Sequence, residues 1–315
     1  MTRTPDAERV FECEHPTDPV RTLRLQRLGR KDESMHVEPG ALTLATRTRA
    51  GAVAVRLEAL DPHRVRLSAW GPAAEYAAER GEWLLGLDDD PTTFDPTAGG
   101  TADPTVARRL RRMMREQESM RLGRSLSVFD ILVRTVLQQR VTWIEATRAQ
   151  RVLTREYGEP APLPGLRLPA DPRKLAAAPY YDLHPAGIER SRAKTLRLLA
   201  KRAAAIDDID QLPPEEAKAA LFALPGIGGW SVGMIAGFGL GDPDAVPVGD
   251  FHLPNVVSTF FAGEPRGDDR RMLELLKPFR GHRFRVIRLL MTSGIHAERR
   301  GPKNAPSKWT TDSNY

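Results

Sequence analysis

The sequence predicts an α+β protein: a small N-terminal antiparallel β-sheet domain followed by a larger, all-helical one. Three observations carry this. Apolar residues alternate with period two only within the first seventy positions, which marks half-buried strands. From about residue 105 the apolar spacing becomes helical, interrupted by short Pro, Gly and Asp breaks. Between two of the helical stretches lies Leu224-Pro225-Gly226-Ile227-Gly228-Gly229-Trp230, which reads as a helix–hairpin–helix turn.

The strand signal covers residues 10–70. Val53, Val55, Leu57 and Ala59 alternate with other residues, and Val65, Leu67 and Ala69 repeat the pattern after the turn at Asp61-Pro62-His63, so one sheet face should be buried. A helix over 73–86 follows, with Tyr76, Trp83 and Leu84 as core candidates. The acidic, Pro- and Gly-containing stretch 87–104 reads as a linker. Helices are expected over 105–119, 126–138, 141–157, 171–178, 189–205, 214–224, 229–239, 250–262, 268–277 and 281–295. At 315 residues the chain can form two or three domains, assigned to 1–100, 101–300 and a flexible tail at 301–315.

Charge is uneven. Residues 1–100 carry 13 Lys+Arg against 17 Asp+Glu, a net of −4, whereas residues 101–315 carry 34 against 24, a net of +10. A basic helical half favours a polyanionic partner. Cys13 is the only cysteine, which excludes a disulfide framework and any Cys-ligated zinc or iron–sulfur cluster. His252 and His282 have no second ligand at metal spacing. The N-terminal Met1-Thr2-Arg3-Thr4-Pro5-Asp6 lacks an apolar signal core, and no apolar run approaches the roughly 18 residues of a membrane span. The expectation is a cytoplasmic, nucleoid-associated monomer with no membrane partner.

In the hairpin, Pro225 ends the first helix, Gly226 and Gly228 permit positive φ, and Ile227 should plug the two-helix core. Backbone amides left exposed at the following helix N-terminus form a phosphate site, and a backbone grip of this kind carries no sequence information. Downstream, Asp250 in Val248-Gly249-Asp250-Phe251-His252 opens another helix. It reads either as an N-cap or as a carboxylate that does chemistry beside a gripped DNA backbone.

The hairpin, the loop Gly241-Asp242-Pro243-Asp244-Ala245-Val246-Pro247-Val248-Gly249 and Asp250-Phe251-His252-Leu253 together resemble the helix–hairpin–helix DNA glycosylase superfamily over residues 120–295. Gly228-Gly229-Trp230 looks most like the AlkA-type 3-methyladenine DNA glycosylases, which also have an N-terminal sheet. The resemblance implies base excision repair: hydrolysis of the N-glycosidic bond of a damaged base, an alkylated purine, in double-stranded DNA, with the target nucleotide flipped out. Asp250 would be catalytic. Gly226, Ile227, Gly228 and Gly229 would hold the DNA backbone. Gln139 or Arg140, in Val136-Leu137-Gln138-Gln139-Arg140-Val141-Thr142, would fill the vacated base stack. Trp230 stands where strand-cutting relatives have a Lys, so no Schiff-base chemistry is expected.

Trp230, Met234, Phe251 and Arg288 fall at pocket positions, with Trp143 as a further aromatic. Met234 stands at a Tyr position of the family and Arg288 at a Trp position. Pro278-Phe279-Arg280-Gly281-His282 only partly echoes the family's Pro-Trp-Arg-Ser-Tyr. A non-catalytic DNA-binding or damage-sensing protein that keeps the fold is the alternative. No cofactor is expected to be required, but the resemblance implies a Na+ or K+ on the carbonyls of Phe222, Leu224 and Ile227. Arg190, Arg192, Lys194 and Arg197 read as phosphate contacts or a solvated face.

Overall fold

The structure is a computed structural model that describes residues 3–97 and 104–295. The expected domain boundary at 100/101 and the expected tail at 301–315 lie outside the described residues. Strands β1 (Ala7–Glu12), β2 (Met35–Glu38), β3 (Ala41–Thr48), β4 (Gly51–Asp61) and β5 (Arg64–Trp70) form one antiparallel sheet in the order β1-β5-β4-β3-β2. In register, Leu57 lies between Leu42 and Leu67, and Val55 between Leu44 and Ala69. Val53, Val55, Leu57, Val65, Leu67 and Ala69 are all buried, as the alternation requires. They pack in one cluster with residues of α1 (Pro19–Leu23), α2 (Ala74–Glu79) and α3 (Gly81–Leu85).

Three details differ from the sequence pattern. Residues 13–34 hold α1 rather than strand, because Asp18 accepts the amides of Val20 and Arg21 and Pro19 sits at the first helical position. The expected helix 73–86 is split into α2 and α3. The middle of the sheet is buried on both faces. Ala45 and Ala54, on the face opposite Leu44 and Val53, pack against Leu166 and Leu168. On the face of Leu44, the Thr46 hydroxyl donates to Asp130. Two alanines do not stand out by hydrophobicity, so periodicity could not show that their face was covered.

The helical half contains α4 (Pro104–Glu116), α5 (Val128–Leu137), α6 (Trp143–Tyr157), α7 (Pro172–Ala177), α8 (Tyr180–Leu183), α9 (Arg190–Ala200), α10 (Ala203–Asp207), α11 (Pro214–Phe222), α12 (Gly229–Gly239), α13 (Leu253–Ala262), α14 (Asp269–Leu276) and α15 (Arg283–Thr292). All ten residues of α5 are buried, and the helix packs against α6, α9, α10 and α12. The expected helix 189–205 breaks into α9 and α10. The one placed at 250–262 begins at Leu253, because Asp250 forms a turn ahead of it.

Polar bonds fasten the sheet to the helices. Arg134 of α5 pairs with buried Asp32 and donates to Ser34 Oγ at 2.7 Å. Gln26 Nε2 donates to the Phe238 carbonyl at 2.9 Å. The stretch read as a linker is anchored over its described part. Phe94 is buried, with its ring 5.9 Å from that of Phe279, and Asp89 pairs with Arg285 in a contact where both side chains are more than 90% buried. Its acidic composition reflects ion-pair partners for the basic half.

At the start of α5, Asp207 Oδ1 accepts from Ser127 Oγ at 3.1 Å and from the Phe129 amide at 2.9 Å. Burial pushes this carboxyl up to about 7, against those hydrogen bonds, with Asp130 adding to the rise. Burial likewise pushes Asp130 up to about 6, against the Thr46 hydroxyl. Both values lie above the ordinary Asp range, so the folded chain binds more protons than the unfolded one between about pH 4 and pH 7, and stability should fall as pH rises through that window. Asp207→Asn keeps an oxygen for Ser127 and Phe129 without a charge to bury. Urea unfolding should show it more stable than wild type at pH 8 by on the order of 2 kcal/mol, with little difference near pH 4. Parallel curves for the two proteins would remove Asp207 as the titrating group.

Candidate active site

Helix α11 starts with Pro214, Glu215 and Glu216 in its first turn. After Pro225 the chain turns through Gly226 at φ +77°, where an added Cβ would come within 2.5 Å of Thr195 Oγ1. Gly228 has an ordinary extended backbone at φ −106°, contrary to the positive φ expected from sequence. Its use is open space: nothing lies within 4 Å of where its Cβ would be. Ile227 is buried in the helical core, while Gly226, Gly228 and Gly229 are exposed. No side chain caps α12, so its first amides face outward as free donors for an anion.

Three glycines of α12, four residues apart, form a flat face along which the 241–250 loop can run. A Cβ on Gly229 would approach the Val248 carbonyl at 3.6 Å. One on Gly233 would reach the Val246 carbonyl at 2.4 Å, and one on Gly237 would meet the Phe284 ring at 2.2 Å. The far end of the loop is fixed by Asp244. It accepts from Arg283 Nε at 2.8 Å and from the Gly281 amide at 2.7 Å. Burial opposes ionisation of Asp244, but Arg283 prevails and holds its carboxyl below the usual range. The near end is fixed by Asp269 Oδ1, which accepts the Gly249 amide at 3.0 Å.

This track delivers Asp250 to the second residue of α12. Its Oδ2 accepts from Trp230 Nε1 at 2.8 Å, while Oδ1 accepts the amides of His252 and Leu253, each at 2.8 Å. The carboxylate therefore sits half-buried beside the hairpin, held by three donors and still able to accept more from its remaining lone pairs. The N-cap of α13 is His252, not Asp250; one Asp250 oxygen holds the turn into the helix and the other meets the indole.

The loop between α5 and α6 joins the same place. Gln139 Nε2 donates to the Gly226 carbonyl and to Ser231 Oγ, both at 3.0 Å, so this side chain ties the loop to the hairpin. Arg140 projects into solvent at φ +54°, the one positive φ on a non-glycine among the described residues. Arg192, read as a surface cation, is buried. It donates to the Leu137 carbonyl at 3.1 Å and to that of Gly187 at 2.8 Å.

Of the pocket candidates, Trp230 and half-buried Met234 lie one turn apart on α12, and Phe251 is 85% exposed beside Asp250. Arg288 must be removed from the pocket. It is 2% exposed and donates to the carbonyls of Thr22 at 3.0 Å and Arg21 at 3.2 Å, and burial pushes its guanidinium down to about 10. Its place is the seam with the sheet domain. A groove of about 320 Å³ lined by Arg270, Leu273, Glu274, Lys277, Arg280 and Arg283 does not include Asp250. No group of three or more His, Cys, Asp or Glu at metal-binding geometry occurs among the described residues, and none of their helices is long and apolar enough to cross a membrane.

Residues 133–280, which contain the Arg140 loop, the hairpin and Asp250, match the HhH-GPD superfamily of base excision DNA repair proteins. Over that stretch the chain is similar to this superfamily. Among sequence relatives, it is 31% identical to the Mycobacterium tuberculosis protein named "Probable bifunctional transcriptional activator/DNA repair enzyme AlkA". The match covers 56% of this chain and 35% of that one. It is 23% identical to Bacillus subtilis YfjP over 48% of this chain and 53% of the other. The matched stretch thus spans between a third and just over half the length of these relatives. Among solved structures, an Archaeoglobus fulgidus 3-methyladenine DNA-glycosylase superposes with a TM-score of 0.72 at 19% identity, over 90% of this chain and 97% of that one. A Clostridium acetobutylicum 8-oxoguanine glycosylase/lyase superposes with 0.66 at 15% identity, over 92% and 98%. At these identities the likeness is one of fold. It extends across the sheet domain as well as the helical half.

Sequence reading overlooked the glycine face of α12, although its signal, Gly229, Gly233 and Gly237 at intervals of four, is plain in the chain. Gly233→Ala should force the Val246–Pro247 backbone off α12. We expect a loss of about 1–3 kcal/mol in urea unfolding, together with faster hydrogen exchange at the Val248 and His252 amides. Unchanged stability and exchange would show that the loop does not depend on this contact.

Proposed function

We propose that this protein is a monofunctional DNA glycosylase that hydrolyses the N-glycosidic bond of damaged bases, alkylated purines foremost, in duplex DNA. The observation that carries this is Asp250, fixed by the Trp230 indole at the N-terminal end of the α12 hairpin. The hairpin amides would bind a phosphate of the damaged strand, which brings the sugar of an extruded nucleotide to the adjacent carboxylate. As the bond to the base breaks, positive charge grows on the deoxyribose. Asp250 would stabilise that charge and orient the attacking water.

Trp230 has no amine with which to attack the sugar, and its one N–H is already used to hold Asp250. Hydrolysis to an abasic site, without strand cutting, is the chemistry these residues support. The alkylpurine preference is supported by the AlkA-named relative and by the relative named "Putative DNA-3-methyladenine glycosylase YfjP". Among the described residues no hydrogen-bond donor reaches the carbonyls of Phe222 and Ile227, and that of Leu224 accepts only the Ile227 amide, so these oxygens suit a Na+ or K+ that would stiffen the hairpin. We place the chain in the cytoplasm, acting as a monomer with the domain limits given above.

The test is release of abasic sites from methylated duplex DNA. Asp250→Asn should lower release by about a hundredfold or more, with duplex affinity retained. Trp230→Phe keeps the ring but loses the N–H, and should cost about tenfold in rate. Borohydride should trap no protein–DNA adduct. Equal, negligible release by wild type and Asp250→Asn across a panel of lesions would favour a DNA-binding protein without catalysis.

A further inference from the structure

Trp143 and Ile144 are 56% and 61% exposed, an unusual cost for two large apolar side chains that are neighbours in sequence. They are the first two residues of α6, three and four positions beyond Arg140. Their presentation is rigid. The Thr142 side chain accepts the Glu145 amide, and Glu145 Oε2 accepts the Thr142 amide at 2.9 Å, a complete capping box around them. Ala146, Ala149, Gln150 and Leu153 take the buried side of α6, which leaves Ile144, Arg148 and Arg151 on the outward side. The loop just before them is tied to the hairpin through Gln139, Gly226 and Ser231. An aromatic–aliphatic step beside exposed Arg140, rigidly attached to a turn with outward amides, fits a nucleic acid opened at one base step. Bases supply the apolar faces and flanking phosphates meet the hairpin amides.

We propose that Trp143 and Ile144 form a stacking platform. They would pack on bases exposed when a nucleotide leaves the duplex, while Arg140 enters the gap. This rests on the glycosylase reading above but concerns different residues. It makes Trp143 a reader of the opened step, outside the pocket that receives the damaged base. The platform touches neither the sugar nor Asp250, so its effect belongs to recognition of the distorted duplex.

The full-length chain would be titrated with two duplexes of identical sequence, one intact and one carrying a tetrahydrofuran abasic analogue with 2-aminopurine opposite it. Wild type should prefer the gapped duplex. Trp143→Ala should reduce that preference about tenfold, leave the affinity for intact duplex and its salt dependence within twofold, and relieve quenching of the 2-aminopurine. Trp143→Phe should restore most of the preference, and Ile144→Ser should give a smaller loss. A Trp143→Ala protein with undiminished preference and quenching, or one weakened equally on both duplexes, overturns the platform. Release of damaged bases by wild type is scored separately. Normal release with no effect of Trp143→Ala defeats the platform alone, whereas no duplex binding by wild type defeats both readings.

Discussion

The hydrogen bond from the Trp230 indole to Asp250 is the contact on which the rest of the site depends. Trp230 is fixed by its place in the first turn of α12. Asp250 is brought to it by a ten-residue loop lying on a helix face without side chains. A helix with ordinary residues at 233 and 237 would hold the loop and the Phe284 ring farther away, and the carboxylate would lose the indole. Asp244 with Arg283 and Gly249 with Asp269 fasten the two ends of the loop, so the position of one oxygen is set by α12, α14 and α15 together. Preorganisation of this kind makes a fixed charge useful beside a developing cation, since no reorganisation is needed when the charge appears.

The same logic links the hairpin to the loop that carries Arg140. Helix α5 is buried over its whole length, and Arg192 closes its last turn by bonding the Leu137 carbonyl. The chain emerging from it is joined to the hairpin by Gln139. Hairpin, carboxylate and projecting arginine are thus mounted on one packed unit. Arg140 pays for its projection with a left-handed backbone, a local strain that the surrounding bonds sustain.

The basic residues divide into two populations. Arg121, Arg134, Arg192, Arg285 and Arg288 are buried and bond carbonyls or carboxylates, most of them across the seam between sheet and helices. Arg140, Arg190 and Lys194 are exposed. The second group is placed to meet a polyanion directly.

Composition and spacing determined the two-part α+β plan, the strands from β3 to β5, most helices to within a few residues and the hairpin. These are local properties: period two, period 3.6, a proline stop and a glycine turn act over a few residues and leave their mark there. Only the tertiary structure decided that Gly228 is extended, that Arg192 and Arg288 are internal, that the 87–97 stretch is anchored, and that Asp250 meets Trp230. All but the first rest on a partner far away in the chain, such as Thr22 for Arg288 or Arg285 for Asp89. A lone arginine or aspartate looks the same in sequence whether it faces water or a buried carbonyl. The physical reason is that burial and pairing belong to the packed whole, whereas backbone preference belongs to the residue.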